Sequence, residues 1–219
     1  MNRPLETAAK DGLRIIDCGL ADYRQVLRRQ TGIHAERVAG QVPDTVLICE
    51  HPAVVTLGAR KAANRLVAGL DELARRGIDV VEVTRGGGIT AHNPGQLVVY
   101  PIVDLRRRGL GAGEYVRTLE DLGGRLLADL GVHAEASPGR PGLWVADRKI
   151  ASVGVRISKG VTFHGMAVNI LNGLGIFDLF VPCGLDGVRM TSVLQETGRS
   201  WPMALAKQRL TELLVQVLP

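Results

Sequence analysis

Aromatic side chains make up only 4% of these 219 residues. Binders of single-stranded nucleic acid stack bases on aromatic platforms, and duplex binders carry a stripe of Lys and Arg along one element; the chain shows neither. No apolar run approaches the roughly 20 residues that span a bilayer, and the N-terminus has no basic segment followed by an apolar one. The chain is therefore expected in the cytoplasm, with neither membrane nor nucleic acid among its partners. The five histidines show no HxH or HExxH spacing, so no metal site is expected. Neither GxxxxGK[ST] nor a helix-opening GxGxxG occurs, which removes the common phosphate loop and dinucleotide turn. Three cysteines, Cys18, Cys49 and Cys183, are an odd number and too few for a disulfide frame; they are read as free thiols.

What is present is a globular composition, 46% apolar and 22% charged, which excludes a disordered chain. Lys and Arg number 27 against 22 Asp and Glu, a net charge of +5 that favours acidic partners. The length suits one domain, here residues 13–219, preceded by a loose polar tail at residues 1–12. Val- and Ile-rich runs predict strands at Leu13–Asp17, Thr45–Cys49, Val54–Leu57, Asp79–Val83, Leu97–Val103, Lys149–Ile157 and Val161–Ile170, with a hairpin turn at Ser158–Gly160. Helical spacing begins at Leu20, Tyr23 and Leu27. It recurs from Val116 to Leu130 and from Met203 to Val217. Strands in runs with helices between them predict an α+β fold, a mixed sheet packed with helices.

Residues 85–101 read RGGGITAHNPGQLVVYP. Three consecutive glycines let the main chain approach a ligand closely, and exposed N–H groups there can cradle a carbonyl, carboxylate or phosphate. Arg85 adds a fixed charge. A plain tight turn is the commoner meaning of such a triplet; Thr90 and His92 between two turn signals weigh equally for a ligand loop.

Cys183, in VPCGLDG, stands between turn residues on a loop, where a thiol can react. An ordinary cysteine, with a pKa of about 8.5, is only slightly ionised at neutral pH and needs a neighbouring cation or base. His164, His92 and Lys149 are the candidates. Lys149 opens the apolar run KIASVGV, where desolvation would disfavour its charged form; a lone strand-end lysine more often simply snorkels. Cys18 and Cys49 fit small buried hydrophobes.

Taken together, LICEHPAVVTLG (47–58), RGGGITAHNPGQLVVYP, KIASVGVRISKGVTFHGMAVNI (149–170) and VPCGL resemble the lipoyl(octanoyl) transferases of the LipB type, in the family's order, across about residues 13–198. The resemblance implies the catalytic fold of biotin and lipoate protein ligases. It implies transfer of an octanoyl group from octanoyl-acyl carrier protein to a lysine of lipoyl domains, those of 2-oxoacid dehydrogenase complexes and the glycine cleavage H protein. Cys183 matches the family's thioester-forming cysteine, and Lys149 matches the lysine that lowers its pKa and shuttles the proton. The implied acyl pocket is Arg85, Gly86, Gly87, Gly88, Ile89, Thr90, Ala91 and His92, with Ser152, Val153, Gly154, Gly165, Met166 and Ala167. Ala91 and Asn93 depart from the family's tyrosine and glycine. If Ala91 borders the pocket, chains longer than octanoyl, such as decanoyl, should be accepted; if it points away, octanoyl preference should hold.

The chemistry of these residues accords with that expectation. A Cys183 thiolate attacks the donor thioester, main-chain N–H groups near Cys183 and Gly184 hold the oxyanion, and the acceptor lysine then takes the acyl group as an amide. Thioester to amide runs downhill, so no cofactor is expected. The alternatives are an ATP-dependent lipoate or biotin ligase, which would not need Cys183, an amidotransferase that moves octanoyl or lipoyl groups between proteins, and a non-catalytic module that binds acylated carriers. Arg106, Arg107 and Arg108 form the densest basic run and are a candidate dock for acidic carriers.

Overall fold

The computed structural model describes residues 12–181 and 187–218, and the main chain of residues 5–8. Cys183, with Gly184 of the expected oxyanion hole, lies outside the described residues. The chain runs β1 (Leu5–Ala8), β2 (Arg14–Leu20), α1 (Tyr23–Val38), β3 (Thr45–Glu50), β4 (Val54–Leu57), a 3-10 turn (Lys61–Ala63), α2 (Leu70–Arg75), β5 (Asp79–Glu82), β6 (Thr90–His92) and β7 (Gln96–Ile102). It continues with α3 (Leu105–Arg108), α4 (Ala112–Asp129), β8 (Glu135–Ser137), β9 (Arg140–Val145), β10 (Arg148–Ser158), β11 (Val161–Asn169), a second 3-10 turn (Leu174–Leu179), β12 (Arg189–Met190), α5 (Val193–Thr197) and α6 (Met203–Val217).

The main sheet has the order β1-β2-β3-β7-β11-β10-β9-β8, and β5-β4-β6 form a small second sheet. β2 and β3 are parallel while β3–β7, β7–β11 and β11–β10 are antiparallel, so the sheet is mixed as expected. Strand β1 falls inside the expected tail and pairs with β2.

β3 and β7 read as continuous apolar runs because both of their faces are covered. Alternation along β7 shows it. Leu97 and Val99 pack with Leu119, Leu122 and Leu126 of α4 and Leu210 and Leu214 of α6; Val98, Tyr100 and Ile102 pack with Val26 and Ile33 of α1. Helix α1 begins at Tyr23, because the Asp22 carboxylate caps it by accepting from Gln25 N at 2.9 Å. Leu20, expected in that helix, instead ends β2 and is 59% exposed. β10 and β11 are joined through Lys159 and Gly160, with φ 52° and 79°. Two successive left-handed residues make the primed turn whose twist suits a hairpin.

β9 occupies one edge of β10 at Arg148–Ser152. On the other edge β11 begins at Ala151, and β12 runs alongside Arg148 and Lys149. The start of β10 is therefore enclosed from both sides. Among the described residues no helix is long and apolar enough to cross a membrane.

Candidate active site

A cavity of about 280 Å³ opens between residues 85–92 on one side and β10 and β11 on the other. The fold brings thirteen of the expected pocket residues to its wall: Arg85, Gly86, Gly87, Gly88, Ile89, Thr90 and His92 from the glycine-rich segment, and Ser152, Val153, Gly154, Gly165, Met166 and Ala167 from the hairpin. Lys149 lines it as well. Ala91 does not. On the short strand β6 successive side chains face opposite ways, so Thr90 and His92 face the cavity. Ala91, fully buried, faces the cluster of Val55, Leu73, Ile176, Phe177 and Phe180.

Arg85 acts as a clamp for its own loop. It is 8% exposed, and its guanidinium donates to the carbonyls of Gly88 (2.7 Å) and Gly86 (3.2 Å) and to Thr56 Oγ1 (2.7 Å) and O (2.9 Å). Gly86 N donates to Val155 O at 2.8 Å, tying the loop to β10. Gly88 leaves room for Ala63, whose Cβ would lie 2.5 Å from a Cβ added there. Arg85 thus shapes the wall with main-chain contacts.

Lys149 is 3% exposed. Its Nζ lies 5.1 Å from the centroid of Trp144, its cross-strand partner, and a cation over an indole face is attracted by the ring quadrupole. The Arg140 guanidinium also covers that ring, at 4.2 Å. Met190 pairs with Lys149 on the other edge, and Thr191 N donates to Lys149 O at 2.9 Å. The described residues flanking 182–186 are anchored: Phe180 bridges Leu66, and Val181 N donates to Arg65 O at 2.9 Å. Trp144 and Arg140 were not singled out in the sequence.

Tyr23, Tyr100 and His92 line the buried floor of the cavity, and His51 packs against all three. His51 Nδ1 lies 2.7 Å from Ala21 O, so it carries the proton, and Nε2 accepts from the Tyr100 hydroxyl at 2.9 Å. His92 ends a directional chain: Asn169 Nδ2 donates to Thr191 O, Gln96 Nε2 to Asn169 Oδ1, and His92 Nδ1 to Gln96 Oε1 (2.9, 2.9 and 2.7 Å). Its ring stacks on Tyr23 at 5.6 Å. Burial holds both imidazoles neutral, with pKa values lowered to about 4 for His51 and about 3 for His92. His164 also lines the cavity, opposite Val155, six strand positions from Lys149. Between backbones that is roughly 20 Å at 3.3 Å per residue. The lysine stem, however, runs along the strand to Gly142, the partner of Ser152, so the end of the side chain lies three strand positions, roughly 10 Å, from the level of His164, at the other end of the cavity.

Burial pushes the thiols of Cys18 and Cys49 upward, which makes them poor nucleophiles near neutral pH. Among the described residues no group of three or more His, Cys, Asp or Glu has the arrangement of a metal site.

A family model described as the lipoyl protein ligase A/B catalytic domain matches residues 22–215. The octanoyltransferase of Syntrophobacter fumaroxidans is 44% identical over 185 residues, 84% of this chain and 81% of that protein. Among solved structures, a lipoate-protein ligase A bound with ATP superposes with a TM-score of 0.70 at 15% identity, over 94% of this chain and 84% of the other. The biotin protein ligase of Aquifex aeolicus, in complex with biotin and ATP, does so with a TM-score of 0.53 at 12% identity, over 95% and 71%. At such identities the structural likeness speaks for the fold, which is the expected one.

Proposed function

The chain belongs to the lipoyl protein ligase A/B catalytic family, among its octanoyltransferases, and from that premise we propose that it carries an octanoyl group from octanoyl-acyl carrier protein to a lysine of a lipoyl domain. The observation that carries the reading is the cavity. Two stretches far apart in the chain, the glycine-rich segment (85–90 and 92) and the β10–β11 hairpin (149, 152–154 and 165–167), line one largely apolar space with the buried Lys149 in its wall. A buried aliphatic chain contributes about 0.8 kcal/mol per methylene, so such a wall selects acyl groups by length.

In this account Cys183 is the nucleophile. A thiolate forms beside Lys149, whose charge stabilises it in a site with little competing water. The thiolate attacks the donor's thioester carbonyl, the C–S bond to the carrier breaks, and the carrier leaves as a thiolate that takes a proton from the Lys149 ammonium to become a thiol. The acceptor lysine then attacks the Cys183 thioester as a free amine; the C–N bond forms, the C–S bond to Cys183 breaks, the thiolate returns, and the proton shed by the nitrogen goes back to Lys149. Lys149 is the natural group to hold the proton between the two halves. Trp144 and the two neighbouring strands keep that ammonium at the cavity wall. Neither ATP nor a cofactor is needed. Lipoyl domains of 2-oxoacid dehydrogenase complexes and the glycine cleavage H protein are the acceptors, and the cytoplasm is the setting.

The test is transfer in a mixture of octanoyl-acyl carrier protein, a lipoyl domain and this protein, without nucleotide. The expected result is an octanoyl mass increment on the acceptor lysine. Transfer that needs ATP and free octanoate would replace this reading with a ligase.

A further inference from the structure

His164 is the least accommodated residue of the cavity. Its φ of 59° lies in the left-handed region although it stands inside an unbroken β10–β11 ladder. Adjacent side chains of a strand normally point to opposite faces. Here the His164 ring stacks on that of Phe163, with centroids 4.9 Å apart and planes at 25°. The unusual φ is what brings the two rings to one side. Such a backbone state is unfavourable for a residue with a Cβ and persists only where surrounding structure enforces it. Gln30 Oε1, from α1, helps enforce it by accepting from His164 N at 2.9 Å.

The imidazole so placed is 1% exposed, yet among the described residues neither Nδ1 nor Nε2 has a hydrogen-bond partner, and Gln30 Nε2 beside it has none either. Buried polar atoms without partners are rare in native proteins, and each such site points to a water or ligand group that completes it. The group lies at the end of the cavity remote from Lys149, across from the Arg85 loop.

We propose that His164, with water held on its ring nitrogens, is the polar end-stop of the acyl pocket and sets its length specificity. This rests on the reading of the cavity as an acyl pocket with its reactive end at Lys149. An octanoyl chain fills the apolar wall and stops short of the imidazole. A longer chain must strip the water. Two further methylenes gain roughly 15-fold in affinity where they meet an apolar wall. Leaving both buried ring nitrogens without partners loses roughly 30-fold or more. The balance falls against longer chains.

Two substitutions separate this role from a structural one, because both residues tolerate the left-handed conformation. His164→Gly removes the polar stop and lengthens the cavity. His164→Asn keeps a hydrogen-bonding end. Free fatty acids of six to twelve carbons, added to the full chain, are ranked by the rise in Tm they cause. The wild type and His164→Asn should be stabilised most by octanoate. His164→Gly should prefer decanoate or dodecanoate, with the affinity ratio of decanoate to octanoate rising at least fivefold. The same rank order in His164→Gly as in the wild type, or no stabilisation by any acid, would overturn the proposal. Octanoate binding without acyl transfer would leave it standing and overturn the proposed reaction instead.

Discussion

Gly142 and Lys149 are packed against each other so closely that a Cβ at position 142 would lie 2.8 Å from Lys149 Cε and 2.2 Å from Ala151 O. Its φ of 123° also lies where a side chain is strained. Gly142 therefore keeps open the space that the lysine stem fills. Gly142→Ala should lower Tm, at a cost of about 1–3 kcal/mol for the strained backbone, and should slow acyl-adduct formation at least tenfold by displacing the ammonium. Thermal melting and the rate of adduct formation check this. An unchanged adduct rate would show that the lysine's placement does not depend on Gly142.

The charge of Lys149 is assigned the task of ionising Cys183. Lys149→Ala should shift the alkylation of Cys183 by iodoacetamide to higher pH. Lys149→Arg keeps a positive charge but cannot release a proton in the working range; it should restore alkylation at neutral pH without restoring turnover. Identical alkylation profiles in wild type and Lys149→Ala would remove the lysine from the mechanism.

Because Ala91 faces the cluster of Val55, Phe177 and Phe180 and not the cavity, the first branch of the sequence expectation, a longer acyl preference, is not followed. Ala91→Tyr should overpack that cluster, a loss of about 1–3 kcal/mol, seen as a lower Tm. The profile of kcat/KM against acyl length should still peak at octanoyl. A peak that moves to shorter chains would place the side chain in the pocket.

The basic run at Arg106–Arg108 has a structural task. Arg108 Nη2 pairs with Asp44 at 2.7 Å and Arg106 Nε with Asp104 at 3.3 Å, while Arg37 meets Asp44 at 2.6 Å from the other side. Arg108→Ser should leave the buried Asp44 short of a partner and destabilise the fold by about 1–3 kcal/mol. Arg107→Ser, on an exposed residue, should leave Tm unchanged. If carriers dock here, Arg107→Ser raises KM for carrier protein at low salt; equal KM values would exclude the site.

His51, His92 and His164 are buried and neutral, with pKa values lowered from about 6.5 to about 4, 3 and 3. The unfolded chain binds their protons first, so their contribution is intact above pH 6.5 and is lost as pH falls from there towards 3. Each neutral histidine contributes up to about 1.4 kcal/mol of lost stability per pH unit in that window. Tm should thus fall steeply between pH 6 and 4, and less steeply in His92→Gln. A flat Tm across that range would contradict the buried neutral cluster.

Several parts of this molecule were legible in the sequence for one physical reason: burial on both faces writes continuous Val and Ile runs. β3, β7 and β11 were placed on that basis, the half-buried β10 by its Val and Ile content, and the Lys159-Gly160 turn followed from its glycine. β6, β8, β9 and β12 were not legible. They are two to six residues long, and their identity as strands depends on partners elsewhere in the chain. The same holds for Trp144, which meets Lys149 only across the β9–β10 pairing. His164 was visible as a titratable residue, but its reversed direction breaks the alternation on which strand reading depends. Thr90 and His92 were read as part of a ligand loop, and both line the cavity; Ala91 between them was grouped with them because a loop has no alternating faces and a strand does.

The central claim is that the acyl group rests on Cys183. The direct measurement is intact mass of the full chain after incubation with octanoyl-acyl carrier protein, followed by peptide mapping, for the wild type and for Cys183→Ala, Cys18→Ala and Cys49→Ala. The account predicts one octanoyl adduct on the Cys183 peptide of the wild type, retained in Cys18→Ala and Cys49→Ala and absent from Cys183→Ala. An adduct that forms in Cys183→Ala at the wild-type rate, or octanoyl transfer to a lipoyl domain by that variant, would contradict it.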